Sequence, residues 1–388
     1  MSFLRDLSVS AAVAGFVTVL VGFTSSAVIV FQAANAVGAG AAEIASWMWA
    51  LGLGMGVTCI VLSLRYRMPV VTAWSTPGAA MLITGAAGVS LAEATGAFLV
   101  SALMITFVGF SGWFERAINR IPVSIASGML AGVLLRFGLE VFAVMKAQFP
   151  MAFSMFAVYL IMRRLFPRYA VISAFALGIA IATAQGSLHI ATVHFELARP
   201  VWVMPSLSVS ALIGVALPLF VVTMASQNVP GVAVIRVSGY PIPISPVVGW
   251  TGVANFLFAP FGAFAINLAA ITAAICMGRE AHEDAKRRYV ASVAAGFFYV
   301  LIGMFGATVG ALFAAFPHEL VAAIAGLALI GTIGNGLAAA MAAERDREAA
   351  LVTFLVTASG VTLFGIGSAF WGLVAGGLAL FVMRVRAS

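Results

Sequence analysis

Residues 72–78 read Thr-Ala-Trp-Ser-Thr-Pro-Gly and interrupt one of the apolar segments that make up most of this chain. Proline fits the first turn of a helix, and the residues before it favour an extended backbone. The pattern therefore predicts an extended segment followed by a helix that begins near Pro77. A second interruption, Phe-Ala-Pro-Phe-Gly-Ala-Phe-Ala-Ile-Asn at residues 258–267, occupies the corresponding place in the second half of the chain.

Both interruptions lie in a chain that is too apolar to be water-soluble. Of its 388 residues, 63% are apolar and 9% charged, and the mean hydropathy is +1.12; soluble domains are roughly half apolar and about a quarter charged. Several charge-free stretches exceed the ~20 residues that a helix needs to cross a bilayer. They cover residues 7–42, 200–235, 237–278 and 349–383. We therefore predict an all-α polytopic membrane protein with one membrane domain over residues 1–388.

The net charge of +7 indicates orientation in the membrane and not a nucleic-acid partner. Charges, prolines and glycines divide the chain into about fourteen predicted spans. With both termini in the cytoplasm, the outer loops keep only Arg136, Lys146 and Arg199, and the other seventeen Lys and Arg are cytoplasmic, as the positive-inside rule predicts. Cys59 and Cys276 are too few for a disulfide framework. We expect no metal and no cofactor.

The two halves of the chain resemble each other weakly, at offsets of 188 to 195 residues. The matches are Ala34–Gly38 with Gln227–Gly231, Pro77–Thr84 with Ala265–Thr272, and Pro122 with Pro317. Seven spans per half is an odd number, so the second half would enter the membrane from the opposite side. This predicts inverted repeats at residues 8–186 and 206–386, an arrangement typical of secondary transporters.

The substrate site is predicted where the helices of spans 3 and 10 are broken. Two half-helices would point their N-termini at each other near the bilayer centre and attract an anion with their free N–H groups. Neutral donors and aromatic rings nearby suit a small apolar body with one carboxylate. The candidate substrate-binding residues are Ser75, Thr76, Gly78, Gln227, Asn228, Phe264, Ile266 and Asn267. The alternative is that the amide side chains only join helices by hydrogen bonds.

The chain also resembles the BenE-type benzoate/proton symporters. The resemblance is strongest in Thr223–Gly231, in Ile266–Cys276, and in Glu280-Ala281-His282 with Arg287-Arg288; Ala285 stands where the family has a proline. It implies a multi-pass importer of benzoate in the bacterial inner membrane. It also implies the fold of the nucleobase/ascorbate transporters, with a core domain near residues 8–113 and 206–315 and a gate domain near residues 122–186 and 318–386.

One departure from those nucleobase relatives favours an anionic substrate. The relatives are expected to have carboxylates on spans 8 and 10, where this chain has Gln227 and Asn267. A carboxylate ligand would then meet hydrogen-bond donors instead of like charge. The expected partners are benzoate or a similar aromatic carboxylate, protons and the lipid bilayer; a homodimer is left open.

The energy source is predicted to be a proton gradient, because the chain has no phosphate-binding Gly-Lys motif. Arg136 and Glu140, four residues apart in span 5, could form an ion pair that protonation breaks, or a static pair at the membrane edge. Alternatively, the substrate carboxylate itself carries the proton.

Other functions remain open at this stage. They are a nucleobase or inorganic-anion carrier of the same fold and a passive anion channel. An enzyme is disfavoured, because no span has paired carboxylates, a His/Glu metal motif or a Ser/Lys dyad.

Overall fold

A computed structural model describes residues 6–86, 88–118, 121–188, 197–314, 316–361, 363 and 368–384. The described residues form fourteen helices of seven residues or more, labelled in chain order. They are Val9–Ala36 (α1), Ala41–Tyr66 (α2), Thr76–Gly85 (α3), Leu91–Phe110 (α4), Val123–Ala143 (α5), Phe149–Leu165 (α6), Ala170–Ala184 (α7), Val209–Val237 (α8), Ile244–Phe258 (α9), Ile271–Met277 (α10), Tyr289–Ala314 (α11), His318–Ala342 (α12), Arg347–Ala358 (α13) and Ser368–Arg384 (α14).

The membrane class predicted from composition is confirmed. Seven helices of the described residues are long and apolar enough to span a membrane: α2, α4, α5, α8, α9, α11 and α12. Large apolar side chains such as Phe107, Leu217 and Phe381 are exposed on the helix surfaces, where they can contact lipid. The number of about fourteen crossings and the inverted repeats stay predictions.

Both predicted interruptions are present, and each contains a short strand. Residues Thr72–Trp74 (β1) precede α3, and residues Ile266–Leu268 (β2) precede α10. The strands pair in antiparallel register, with Ala73 opposite Asn267. The two helices leave this ribbon from opposite ends, so their N-termini face each other across its length. Strand pairing was not predicted, and it satisfies backbone groups that a broken helix would leave unpaired.

The predicted start of the second half-helix was wrong. A helix was expected from about Phe261, but Ala259–Phe261 is only a 3-10 turn that Gly262 ends with a φ of 106°. Helix α10 begins at Ile271, after the extended segment that contains β2. Phe264 therefore lies before the strand and not beside a helix terminus.

The helices pack most extensively within two groups. In the first, α2 and α1 lie along α11, and α4 lies along α9. In the second, α5 packs against α12 and α13, α13 against α14, and α6 against α7. Glycines permit the closest approaches, since a Cβ on Gly52 would lie 2.5 Å from the Cα of Gly303 and one on Gly128 would lie 2.5 Å from the Ala350 carbonyl. The ribbon and both half-helices belong to the first group.

Candidate functional site between two interrupted helices

The strand ribbon is held by side chains along both of its outer edges. In an antiparallel pair, alternate residues direct their N–H and C=O groups away from the partner strand. The Ser75 N–H donates to Ala265 (3.0 Å) and the Ala269 N–H to Val71 (2.9 Å). By this alternation, Thr72, Trp74, Ile266 and Leu268 are the residues that face outward.

Neighbouring helices supply partners for these outward groups. On the β2 edge, Asn255 of α9 bonds both the N–H and the carbonyl of Ile266, and Asn228 of α8 accepts from the Leu268 N–H at 3.0 Å. On the β1 edge, the Thr72 N–H donates to the Cys59 sulfur at 3.2 Å. Buried cysteine and asparagine thus stabilise the extended backbone within an apolar protein.

The start of α3 is shaped by the motif that predicted it. Ser75 is the N-cap, and its hydroxyl accepts from the Gly78 N–H at 3.0 Å. Pro77 follows in the first turn, where a missing N–H costs no helical bond. Ser75 and Gly78 are both buried. Their polar groups bond each other and build the helix end, while Thr76 lies at the tip.

A cavity of about 510 Å³, counting all empty space up to its open side, adjoins the ribbon. The walls come from α1, β1, the first residue of α3, α5, α8, the start of α10 and α11. The lining residues are Val21, Gly22, Ser26, Ala73, Trp74, Thr76, Phe137, Gln227, Ala269, Ala270, Ile271, Thr272 and Tyr299.

The cavity wall is mostly apolar, and it includes several polar side chains but, among the described residues, no charged one. Thr76, Gln227, Thr272 and Tyr299 offer hydroxyl and amide donors. Ser26 is already occupied, because it accepts from the Trp74 indole at 2.8 Å and donates to the Gly22 carbonyl at 3.0 Å. The wall therefore offers hydrogen-bond donors that carry no charge.

The structure brings some of the predicted site residues to the cavity and leaves others behind it. Thr76 and Gln227 line it. Ile266 is buried in the strand, with its side chain against Gly54. Phe264 packs on Trp47 and Phe98, away from the lining residues. Asn228 bonds β2 and its own helix, so the geometry gives it a structural role, and its place as a ligand stays a prediction.

Asn267 has an unusual environment among the predicted residues. Its side chain is completely buried, and within the described part of the chain neither its amide oxygen nor its amide nitrogen has a hydrogen-bond partner. Cross-strand neighbours point to the same face of a ribbon. Ala73, directly opposite, lines the cavity. Asn267 itself is not among the lining residues, but its cross-strand neighbour Ala73 and the nearby Ala269 are, so Asn267 lies directly beside the cavity.

The proposed pair of Arg136 and Glu140 is not formed. Arg136 is exposed, Glu140 is half-buried, and no ion pair joins them. Residues four apart on a helix are neighbours, but an exposed arginine is free to extend into solvent or lipid headgroups instead. A role of Arg136 and Glu140 in proton coupling stays a prediction.

Several lining residues were not predicted. Tyr299 on α11, Phe137 on α5 and Gly22 on α1 lie in apolar runs with no local pattern that distinguishes them. Thr272 is different, because it stood within the segment that matched Pro77–Thr84 in the repeat comparison. A search for polar residues just after the second interruption would have found it.

The fold and the cavity define a helical membrane protein with a neutral, donor-lined site between two interrupted helices. The benzoate membrane transport protein (BenE) family profile matches residues 5–382. The Escherichia coli K12 inner membrane protein YdcO is 50% identical over 96% of both chains. A benzoate membrane transport protein of Acinetobacter baylyi is 41% identical over 98% of this chain and 96% of its own. This chain belongs to the benzoate membrane transport protein family.

Two solved structures are similar to this chain at low sequence identity. One is the overall structure of SLC26A9, with 13% identity, a TM-score of 0.49, and coverage of 94% of this chain and 67% of the other. The second is the transmembrane domain of a cyanobacterial bicarbonate transporter, BicA, with 15% identity, a TM-score of 0.44 and 98% coverage of both chains.

Proposed function

We propose that this protein imports benzoate, or a similar aromatic carboxylate, together with a proton across the bacterial inner membrane. Family membership supports the substrate class, and the names of the two relatives support benzoate and the inner membrane. The observation that carries the proposal is the unpartnered amide of Asn267 beside a neutral cavity.

The chemistry of the cavity matches a carboxylate better than a nucleobase. An ionised carboxylate only accepts hydrogen bonds, and the wall supplies donors from Thr76, Gln227, Thr272 and Tyr299. The N-terminus of the ten-residue helix α3 adds a positive dipole end at Thr76. A nucleobase needs acceptors for its N–H groups, and no carboxylate lines the described cavity.

Transport by alternating access is supported by the two packing groups of helices. In this proposal the first group belongs to a core domain near residues 8–113 and 206–315, and the second to a gate domain near residues 122–186 and 318–386. The cavity lies where they meet, because Phe137 of α5 completes a wall otherwise built from the first group and from Gln227 of α8. Movement of one group against the other would expose the site to each side in turn.

The proton has two candidate carriers. No acidic side chain lines the described cavity, which favours a substrate that carries the proton on its own carboxylate. Glu140 is the alternative, on the same helix as Phe137. Concentrative uptake by Glu140→Gln with an unchanged pH dependence would remove Glu140 from consideration. Accumulation that a protonophore abolishes would exclude a passive channel, and competition by uracil or sulfate would indicate another carrier type.

The decisive experiment measures benzoate binding to purified wild type, Asn267→Ala and Gln227→Ala. Both variants should bind at least tenfold more weakly. Asn267→Ala removes a buried amide that has no partner, so it should not lower the melting temperature. Gln185→Ala, an exposed amide at the end of α7, is the matched control and should bind like wild type. Unchanged affinity in both cavity variants would place the substrate elsewhere.

A further inference from the structure

The two outward backbone groups of Ile266, on the edge of β2 that faces α9, are bonded by a single side chain. Ile266 directs its N–H and carbonyl outward from the ribbon, and Asn255 binds both: its Oδ1 accepts from the N–H, and its Nδ2 donates to the carbonyl at 2.8 Å. Asn255 is 1% exposed and Ile266 is fully buried. An asparagine amide has the same donor and acceptor pair as a peptide group, so Asn255 replaces a third strand at this point.

Among the described residues, no third strand pairs with this edge of β2. The Ile266 side chain fills the space beside Gly54, where an added Cβ would lie 2.3 Å from the Ile266 Cδ1. Asn228 fixes the other outward residue of β2, Leu268, through only one bond. Asn255 therefore makes two of the three described side-chain bonds to the outer edge of β2.

The residue between these anchors is Asn267. Because side chains alternate along a strand, a shift of β2 by one residue would turn Asn267 away from the face that it shares with Ala73. A smaller rotation of the ribbon would also displace the amide, since a binding group must be held within a fraction of an ångström.

We propose that Asn255 is a positioning residue, which does not touch the substrate but holds β2 in register, so that Asn267 stays opposite Ala73 and beside the cavity. The expected effect on benzoate binding rests on the proposed function, whereas the expected effect on the order of β2 does not. Losing the two bonds should loosen residues 263–270 first and weaken benzoate binding as a consequence.

The test compares Asn255→Leu, which keeps the size and loses both bonds, with Asn255→Asp, which keeps the oxygen that accepts from Ile266. Thr251→Val is the matched structural control, since it removes a buried hydroxyl bond to Val248 one turn earlier on α9 without touching β2. We expect benzoate Kd to rise at least tenfold in Asn255→Leu and by an intermediate factor in Asn255→Asp. Thr251→Val should keep the wild-type Kd even if its melting temperature falls.

Amide hydrogen exchange of peptides covering residues 263–270 gives a second readout that needs no ligand. Exchange there should become at least tenfold faster in Asn255→Leu and stay unchanged in Thr251→Val. If Asn255→Leu does not fold, both the benzoate Kd and the hydrogen exchange are measured on Asn255→Asp. Unchanged exchange in the Asn255 variants would overturn the inference, as would a Kd equal to that of wild type. If the wild type binds no benzoate, the proposed function is refuted. The exchange data would still test whether Asn255 holds β2 in place.

Discussion

Gly22 sets the width of the cavity between α1 and α11, and replacing it by alanine tests whether this cavity holds the substrate. An added Cβ would lie 3.2 Å from the hydroxyl oxygen of Tyr299 and 3.6 Å from the Cγ2 of Thr272. The second contact is ordinary, and the first requires a shift of a few tenths of an ångström at the end of a side chain. The methyl group would thus occupy cavity space without forcing backbones apart.

The stability of Gly22→Ala should stay close to that of wild type. Alanine is favoured over glycine inside a helix by about 0.5–1 kcal/mol, and mild overpacking costs about 1 kcal/mol. Binding is affected more, because one methylene too many in a fitted pocket costs about 1–3 kcal/mol, or roughly 10–200-fold. We therefore expect benzoate Kd to rise at least tenfold, while acetate, which lacks the ring, loses little affinity.

The assay is equilibrium binding of benzoate and acetate to purified wild type, Gly22→Ala and Gly214→Ala. Gly214 on α8 is the control, because a Cβ there would have no heavy atom within 4 Å. Gly214→Ala should match wild type for both ligands. A folded Gly22→Ala with wild-type benzoate affinity would refute the assignment of the cavity. Equal losses for benzoate and acetate would show a general disturbance and not a limit on ring size.

Three further outcomes are expected. Tyr299→Phe should weaken benzoate binding roughly 10–100-fold in the same assay, since a hydrogen bond to a charged group contributes about 1.5–3 kcal/mol; unchanged binding would remove Tyr299 from the site. Arg163 and Glu280 are 3.5 Å apart and join α6 to the loop after α10. Reversing either charge alone should lower the melting temperature, and exchanging both charges should restore it. The free energy of unfolding should change by about 1 kcal/mol or less, because Arg163 is 41% exposed. Gly52→Val should lower the melting temperature markedly, because its Cβ would meet Gly303 at 2.5 Å and overpacking costs about 1–3 kcal/mol; a normal melting temperature would contradict that helix contact.

Local signals in the sequence predicted where the helices are interrupted more accurately than they predicted the backbone structure within the interruptions. Pro77 placed the start of α3 within one residue, because proline acts on its own backbone and its neighbour. Pro260 misplaced the start of α10 by about ten residues, since the chain stays extended to pair with β1. That pairing joins segments almost two hundred residues apart; the repeat match predicted that they meet, but nothing within either segment predicts that they pair as strands.

The candidate site was predicted in part for a similar reason. Thr76 and Gln227 were found because they flank a helix break, and both line the cavity. Tyr299 and Phe137 were missed, since tyrosine and phenylalanine within apolar helices are most often ordinary core or lipid-facing residues. Their contribution depends on which helix faces bound the cavity, and helix periodicity does not specify that in a chain that is apolar on every side.

By itself, the sequence determined that this protein resides in a membrane and that two of its helices are broken, because hydropathy and proline geometry are properties of short segments. Only the tertiary structure decided what three buried asparagines do. Asn228 and Asn255 bond the outer edge of β2, whereas Asn267 is left without a partner beside the cavity. The residue type and the burial are the same in all three, and the difference arises from strand register and side-chain alternation, which exist only after distant segments have paired.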